Sequence, residues 1–383
     1  MKRILILTAD VGFGHRSAAQ AVAEALELGH PQQCESTILN PVYERNASFL
    51  LRNPMRDYDR TVTHWTAYYR LTYALSDTRL ACRLLDGLMR MLLTPLMARL
   101  LEEFQPEAVL STYHIYNPPL RAAINSLGAS IPLFSVVTDL ENVHKMWLRP
   151  GPDRIFVASQ AARAEALARG LPGEQVIATG VPVNPSFGDA AKSRQELRRE
   201  LGWQAQLTTL LAVGSRRVET MLAHLQAINQ SGLPLQIAAV AGGDARLHQK
   251  LQAIDWRIPA HIYGFVEQMP DLMRAADLLI SKAGGLIVAE GLACGLPLLL
   301  IEFIPGQETG NVRFVQENHA GRLAGSPQET LSILRSWLQD GGQILQETAA
   351  HARQIGRPKA ACQVAETIWG AIQPPEIKTR SFP

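Results

Sequence analysis

Short apolar runs alternate with helix-forming segments twice along this chain, and that alternation admits few folds. The first series of strand-like runs falls at residues 4–8, 36–39, 108–111, 133–138, 154–158 and 176–179. The second falls at 209–213, 235–240, 261–263, 278–281 and 298–301. Strands joined through helices pair in parallel, because a crossover is needed to re-enter the sheet in the same direction. Between the two series, Gly180-Val181-Pro182-Val183-Asn184-Pro185 reads as a hinge. The expected class is α/β, with two parallel sheets each covered by helices on both faces. A chain of 383 residues, nearly half of them apolar, can fill two such cores.

The segment 281–311, SKAGGLIVAEGLACGLPLLLIEFIPGQETGN, carries the strongest chemical signal. Ala283-Gly284-Gly285 opens a helix and leaves its first N–H groups unpaired. Together with the helix dipole they suit an anion such as a diphosphate. Glu290 lies on the same helix, placed to reach past a phosphate to a ribose. Gly295 and Pro297 end the helix. Residues 298–301 form a buried strand whose C-terminal end opens into Pro305-Gly306-Gln307-Glu308, the end where open α/β sheets hold ligands. Gln307 and Glu308 suit the hydroxyls of a sugar on that phosphate. One segment therefore offers groups for phosphate, ribose and sugar. The plainer reading is an ordinary glycine-opened helix with no nucleotide.

At the N-terminus, an apolar strand leads into Gly12-Phe13-Gly14-His15, and a strong helix former follows from Arg16. His15 at the helix entrance can act as general base, since a neutral imidazole takes a proton near working pH. Otherwise it is a helix-start residue bonded to backbone. Gly12-x-Gly14-x-x-Ser17 is a partial dinucleotide fingerprint. The strand that should end in an acidic residue ends instead at Asn40, with Glu35 at its start, which argues against NAD or FAD.

On these motifs the chain resembles the monogalactosyldiacylglycerol synthase and processive diacylglycerol glucosyltransferase group. These are inverting enzymes of the two-domain GT-B kind in glycosyltransferase family 28, related to the enzyme that adds N-acetylglucosamine to lipid I. Three stretches carry the resemblance: Gly12-Phe13-Gly14-His15-Arg16; Val137-Thr138-Asp139 through His144 and Trp147; and Gly264-Phe265-Val266 through Ala283-Gly284-Gly285, Glu290 and Pro305-Gly306-Gln307-Glu308-x-Gly310-Asn311. Together they span residues 1 to about 320.

The resemblance implies two Rossmann-like domains facing across a cleft. Residues 1–183 would bind the lipid acceptor and carry a helical insertion at 42–104. Residues 184–372 would bind the UDP-sugar, with the last helix crossing back, and 373–383 would be a flexible tail. It implies UDP-hexose donors, UDP-galactose or UDP-glucose, and diacylglycerol or a related lipid as acceptor. His15 would be the base. Gly12, Phe13, Gly14, Asp139, His144 and Trp147 would line the acceptor side. Gly264, Phe265 and Val266 would hold uracil. Ala283, Gly284, Gly285 and Leu286 would face the diphosphate, Glu290 the ribose, and Gln307 and Glu308 the hexose. Relatives often have a glycine-rich turn after the first strand of the second domain. Here Gly214-Ser215-Arg216-Arg217 holds one glycine, and Arg216 or Arg217 suits a diphosphate or anionic lipid, or simply a solvated helix start. Alternatives sharing the fold are a UDP-N-acetylglucosamine transferase acting on a polyprenyl-linked acceptor, a UDP-sugar 2-epimerase, and a non-catalytic sugar-nucleotide binder.

Residues 42–104 interrupt the alternation with a long helical stretch. Leu80, Leu84, Leu85, Leu88, Met91 and Leu92 recur at helical spacing with Arg83 and Arg90 among them. Core packing is the expectation for most of this stretch, and contact with an anionic membrane surface for part of it. Asp57-Tyr58-Asp59 matches a metal-binding DxD pattern but falls in the insertion, away from any strand end, and reads as surface. No other ligand cluster suggests a metal, and no cofactor is expected. A formal charge of +2 gives no argument for nucleic acid. Cys34, Cys82, Cys294 and Cys362 form no CxxC pair, so neither zinc nor a disulfide framework is expected. The first apolar run is cut at Asp10, too early for a signal peptide, and no stretch has spanning length without charges. The expected location is cytoplasmic, peripheral on the inner face of the membrane.

Overall fold

A computed structural model describes residues 1–10, 14–44, 75–189, 191–214 and 220–373. Gly12, Phe13, Ser215, Arg216, Arg217, the Asp57-Tyr58-Asp59 pattern, much of the helical insertion and the tail from 374 lie outside the described residues.

The first sheet is built from β1 (Lys2–Leu7), β2 (Cys34–Leu39), β3 (Ala108–Ser111), β4 (Leu133–Val136), β5 (Arg154–Val157) and β6 (Val176–Ala178), in the order β2-β1-β3-β4-β5-β6. The second contains β7 (Thr208–Val213), β8 (Leu235–Val240), β9 (Ala260–Tyr263), β10 (Leu278–Lys282), β11 (Leu298–Glu302) and β12 (Gly321–Leu323), in the order β12-β11-β10-β7-β8-β9. All of these pairings are parallel. In each sheet the strand order reverses beside its first strand, which opens a crevice at the carboxyl ends of the strands. β12 has no counterpart among the apolar runs: it is only Gly321-Arg322-Leu323, and Arg322 is exposed.

Alternation along β1 assigns its two faces. Leu5 and Leu7 pack with Val109 against Met89, Leu93, Met97 and Leu100. Ile4 and Ile6 pack with Ala108, Leu110 and Phe134 against Ala19, Val22 and Leu26. The second group belongs to α1 (Gly14–Gly29), whose alanine-rich stripe lets it lie close to the sheet. The first belongs to α2 (Arg79–Phe104), started by Thr78, whose hydroxyl accepts from the Ala81 N–H, and ended at Gln105 in left-handed backbone. The apolar side of α2 is wider than its buried stripe. Leu80, Leu84, Leu88 and Met91 face outward, at 70%, 67%, 44% and 69% exposure. That leaves an apolar row on the surface with exposed Arg83 and Arg90 among it.

The last described helix of the chain returns to the first sheet. Among the other helices are α3 (Asn117–Ser126) and α4 (Gln160–Ala168) of the first half, and α5 (Arg194–Glu200), α6 (Met269–Ala275), α7 (Gly285–Ala293), α8 (Thr309–Glu317) and α9 (Gln343–Ile355) of the second. Helix α10 (Ala360–Ala371) places Ala361, Val364, Ala365 and Ile368 in the same cluster as α1 and the inner face of β1. Asn184, in the connection between the sheets, donates from its side chain to Glu24 on α1. The crossing helix thus completes a core whose other members precede it by more than 200 residues. Ile368→Ala is expected to destabilise this core by about 2–5 kcal/mol, read as a lower urea midpoint with the donor-side fold intact.

Candidate active site

The first turn of α1 brings His15 to the carboxyl edge of the first sheet. The Thr112 hydroxyl donates to the His15 carbonyl at 3.0 Å and lies 2.9 Å from the Thr8 hydroxyl, so two sheet-edge residues hold the helix start. The His15 ring stands edge-on to Tyr113 at 5.2 Å and tilted to Trp147 at 6.0 Å. Its Nδ1 lies 3.3 Å from the Thr138 hydroxyl. Burial pushes its pKa down to about 4, opposed by a hydrogen bond to the Thr112 backbone. The imidazole is therefore neutral at working pH, the state a general base needs. Beside it, the Arg16 guanidinium and, more weakly, the Asn40 side chain hold the Asp10 carboxyl below its ordinary range.

Asp139 lies in the loop after β4. Burial raises its pKa to about 7, and the nearby Glu308 carboxylate adds to the rise. A hydrogen bond from Trp147 works the other way. His144 is buried, with Nε2 3.2 Å from the Ser76 hydroxyl and 3.8 Å from Asp77. Asp77 also accepts from the Lys145 backbone at 2.7 Å and pairs with its ammonium at 2.9 Å.

Across the interface, α7 begins at Gly284 with no side-chain cap. A β-carbon on Gly285 would lie 2.4 Å from the Thr138 carbonyl oxygen, and one on Gly310 would lie 2.2 Å from the Glu141 carbonyl oxygen. Only glycine permits that approach at either position. A β-carbon on Gly14 would lie 3.9 Å from that of Leu286, so the starts of α1 and α7 converge. Asn311, 1% exposed, joins the two halves: it accepts from the Leu140 N–H at 3.2 Å and donates to the Ala283 carbonyl at 2.9 Å. Glu290 is partly buried on α7, and burial raises its carboxyl to about 8.

Glu308 is 5% exposed; it pairs with Lys282 and accepts from the Ile304 N–H at 2.7 Å. Gln307 is partly buried beside it. Gly214 follows β7, and Gly264, Phe265 and Val266 follow β9, all at the carboxyl edge of the second sheet. Phe265 is 76% exposed, an aromatic face open to solvent. β9 lies three strand spacings from β10, roughly 14 Å along the sheet edge.

The structure thus gathers His15, Gly14, Asp139, His144 and Trp147 on one side of the interface. Ala283, Gly284, Gly285, Leu286, Glu290, Gln307 and Glu308 stand on the other, with Gly214 and Gly264–Val266 along the sheet edge. Residues unmarked by the motif reading also enter: Thr112, Tyr113, His114 and Lys282, each at or just past the carboxyl end of a strand. That position was their one sequence signal. Among the described residues, no group of three or more His, Cys, Asp or Glu is placed to hold a metal.

Residues 15–183 match the family model for monogalactosyldiacylglycerol (MGDG) synthase, and residues 208–353 match the glycosyltransferase family 28 C-terminal domain. The chain is 30% identical over 377 residues to monogalactosyldiacylglycerol synthase 2, chloroplastic, of Arabidopsis thaliana, covering 96% of this chain and 80% of that one. It is 30% identical over 379 residues to the Spinacia oleracea monogalactosyldiacylglycerol synthase, chloroplastic, covering 96% and 72%. Among solved structures, Acinetobacter baumannii MurG superposes with TM-score 0.61 at 17% identity, covering 97% of this chain and 100% of that one. Anabaena Alr3699/HepE in complex with UDP-glucose gives 0.57 at 15% identity, with 97% and 100% covered. The Neisseria meningitidis UDP-GlcNAc 2-epimerase bound to UDP-GlcNAc gives 0.61 at 13% identity, with the same coverage. These structural matches establish the fold.

The raised carboxyl of Asp139 has a consequence for stability. A carboxyl whose pKa is raised on folding weakens the fold as pH climbs from its unfolded value to its folded one. For Asp139 that window runs from 3.8 to about 7. Asp139→Asn is therefore expected to melt higher than the parent at pH 8, with the gain gone by about pH 4. Thermal melts across that range check it.

Proposed function

This chain belongs to the monogalactosyldiacylglycerol synthase family and is a glycosyltransferase, and we propose that it moves galactose from UDP-galactose to diacylglycerol with inversion. The observation that carries the mechanism is the convergence of two helix starts. The start of α1 brings a neutral His15, and the start of α7 brings unpaired N–H groups and a positive dipole end. Thr138 touches both, through its hydroxyl to His15 and its carbonyl to Gly285. An acceptor hydroxyl lying against His15 therefore faces a donor whose diphosphate lies on α7.

In this reading the hydroxyl oxygen attacks the anomeric carbon from the face opposite UDP. His15 takes its proton as the bond to UDP breaks, and the α7 N–H groups take up the charge growing on the departing phosphate. Gly264, Phe265 and Val266 hold the uracil, Gly214 flanks the diphosphate, and Glu290 holds the ribose. Gln307 and Glu308, the latter oriented by Lys282, hold the hexose. Asp139, His144 and Trp147 line the acceptor side. The closed interface excludes water that would otherwise hydrolyse the donor. No metal or cofactor takes part in this reading.

The test is UDP release from UDP-galactose in mixed micelles, with and without diacylglycerol. Release that needs diacylglycerol, survives EDTA and yields a β-galactolipid is expected. Release without an acceptor product, or interconversion of UDP-sugars, would sink the reading. In the same assay His15→Ala should lower turnover about 10²- to 10⁴-fold while UDP affinity stays near the parent value. A collapse of UDP binding with a normal residual rate would remove His15 from the role of base.

Such an acceptor resides in a bilayer, and no described helix is long and apolar enough to cross one. The reading therefore places the enzyme peripherally on the inner, cytoplasmic face. The outward row of α2, Leu80, Leu84, Leu88 and Met91 with Arg83 and Arg90, suits an anionic surface: leucines to the acyl region, guanidinium groups to the phosphates. Replacing Leu84 and Met91 by Ser should weaken sedimentation with anionic liposomes at least several-fold and leave UDP binding alone. Unchanged sedimentation would discard this face as the docking surface.

A further inference from the structure

His114 has no part in the mechanism above, yet it stands in the same wall as the base. It opens the 3-10 turn His114–Tyr116 just past β3, at the carboxyl edge of the first sheet. Its ring lies 4.9 Å from Trp147, 5.0 Å from Tyr113 and 6.1 Å from His144. Trp147 and Tyr113 are also the two aromatic neighbours of His15. The two imidazoles therefore share one aromatic frame.

The Nδ1 atom of His114 is shielded from water and has no hydrogen-bond partner among the described residues. A buried polar atom left unpaired is costly, so such an atom beside a base asks for a ligand group. The ring as a whole is partly exposed. A half-turn about its outer torsion exchanges the places of Nδ1 and Cδ2, so the nitrogen has a second position within the same ring plane. Burial, with His144 and His15 nearby, holds the imidazole well below its ordinary pKa, so it stays neutral. A neutral imidazole keeps one N–H to donate. The acceptor of the proposed reaction carries ester carbonyls close to its free hydroxyl, and an ester carbonyl only accepts.

We propose that His114 is a specificity-determining residue that donates a hydrogen bond from its unpartnered ring nitrogen to an ester carbonyl of the acceptor lipid, seating the neighbouring hydroxyl on His15. The assignment rests on the diacylglycerol reading above. It makes the enzyme select ester-linked over ether-linked glycerolipids, a choice that the donor site and His15 cannot make.

The experiment compares kcat/KM for 1,2-diacylglycerol and the chain-matched, ether-linked 1,2-dialkylglycerol in mixed micelles. The parent enzyme, His114→Phe and His114→Asn are each measured, with UDP affinity as a check on folding. The parent should prefer the diester about tenfold, the ratio for one unmade buried hydrogen bond. His114→Phe, which keeps the aromatic packing and removes both nitrogens, should bring the ratio near one, chiefly by losing rate on the diester. His114→Asn, whose amide N–H reaches the place of Nδ1, should keep most of the preference. A parent ratio near one overturns the proposal, whether or not the Phe variant folds. So does an equal loss on both lipids with the ratio unchanged. Failure of the parent to use either lipid while still binding UDP overturns the diacylglycerol reading, and this inference with it.

Discussion

The buried amide of Asn311 holds the site together. At 1% exposure it has no access to water, so both ends of its side chain must find partners within the protein. They find them on opposite halves of the molecule: the Leu140 N–H in the loop after β4, and the Ala283 carbonyl just before α7. Once those two points are tied, Gly285 and Gly310 lie under backbone carbonyls at distances no side chain tolerates. Thr138, Asp139 and the start of α7 then have fixed relative positions, and His15 follows through its contact with Thr138.

Charge in this interface is kept low by burial. Asp139 and Glu290 are pushed toward their protonated forms, and His15 away from its protonated form. Glu308 pairs with Lys282 and accepts from a backbone N–H. The dipole ends of α1 and α7 both favour an anion at the convergence. An anion bound there would also oppose the burial that weakens His15 as a base, because opposite charges in a low-dielectric wall act strongly on one another.

The two sheets were legible from sequence because each central strand is a short apolar run with helix formers on both sides. β12 was not: a three-residue strand containing glycine and an exposed arginine has no periodicity to read. The glycine-opened α7 was legible as a helix start. The reason for Gly285 was not, since it is a carbonyl from a loop almost 150 residues earlier. Spacing marked Leu80, Leu84, Leu88 and Met91 as one face of a helix but did not say which way that face points. The buried stripe of the same helix is also apolar, and packing on α3 and β3 decides between them. Lys282 stood in plain view before Ala283, yet its pairing with Glu308 needs the turn after β11 to fold back over β10.

The amino-acid sequence determined the alternating architecture, the helix starts and the strand ends, because these depend on local periodicity and on backbone groups that any such segment leaves unpaired. It thereby placed His15 and Gly284-Gly285 at the edges of two sheets. Only the tertiary structure decided that those edges meet, that His15 is neutral, that Asp139 faces Glu308, and that His114 keeps an unspent nitrogen beside the base. Those properties arise from desolvation and from contacts across the interface, and both depend on which distant segments come together.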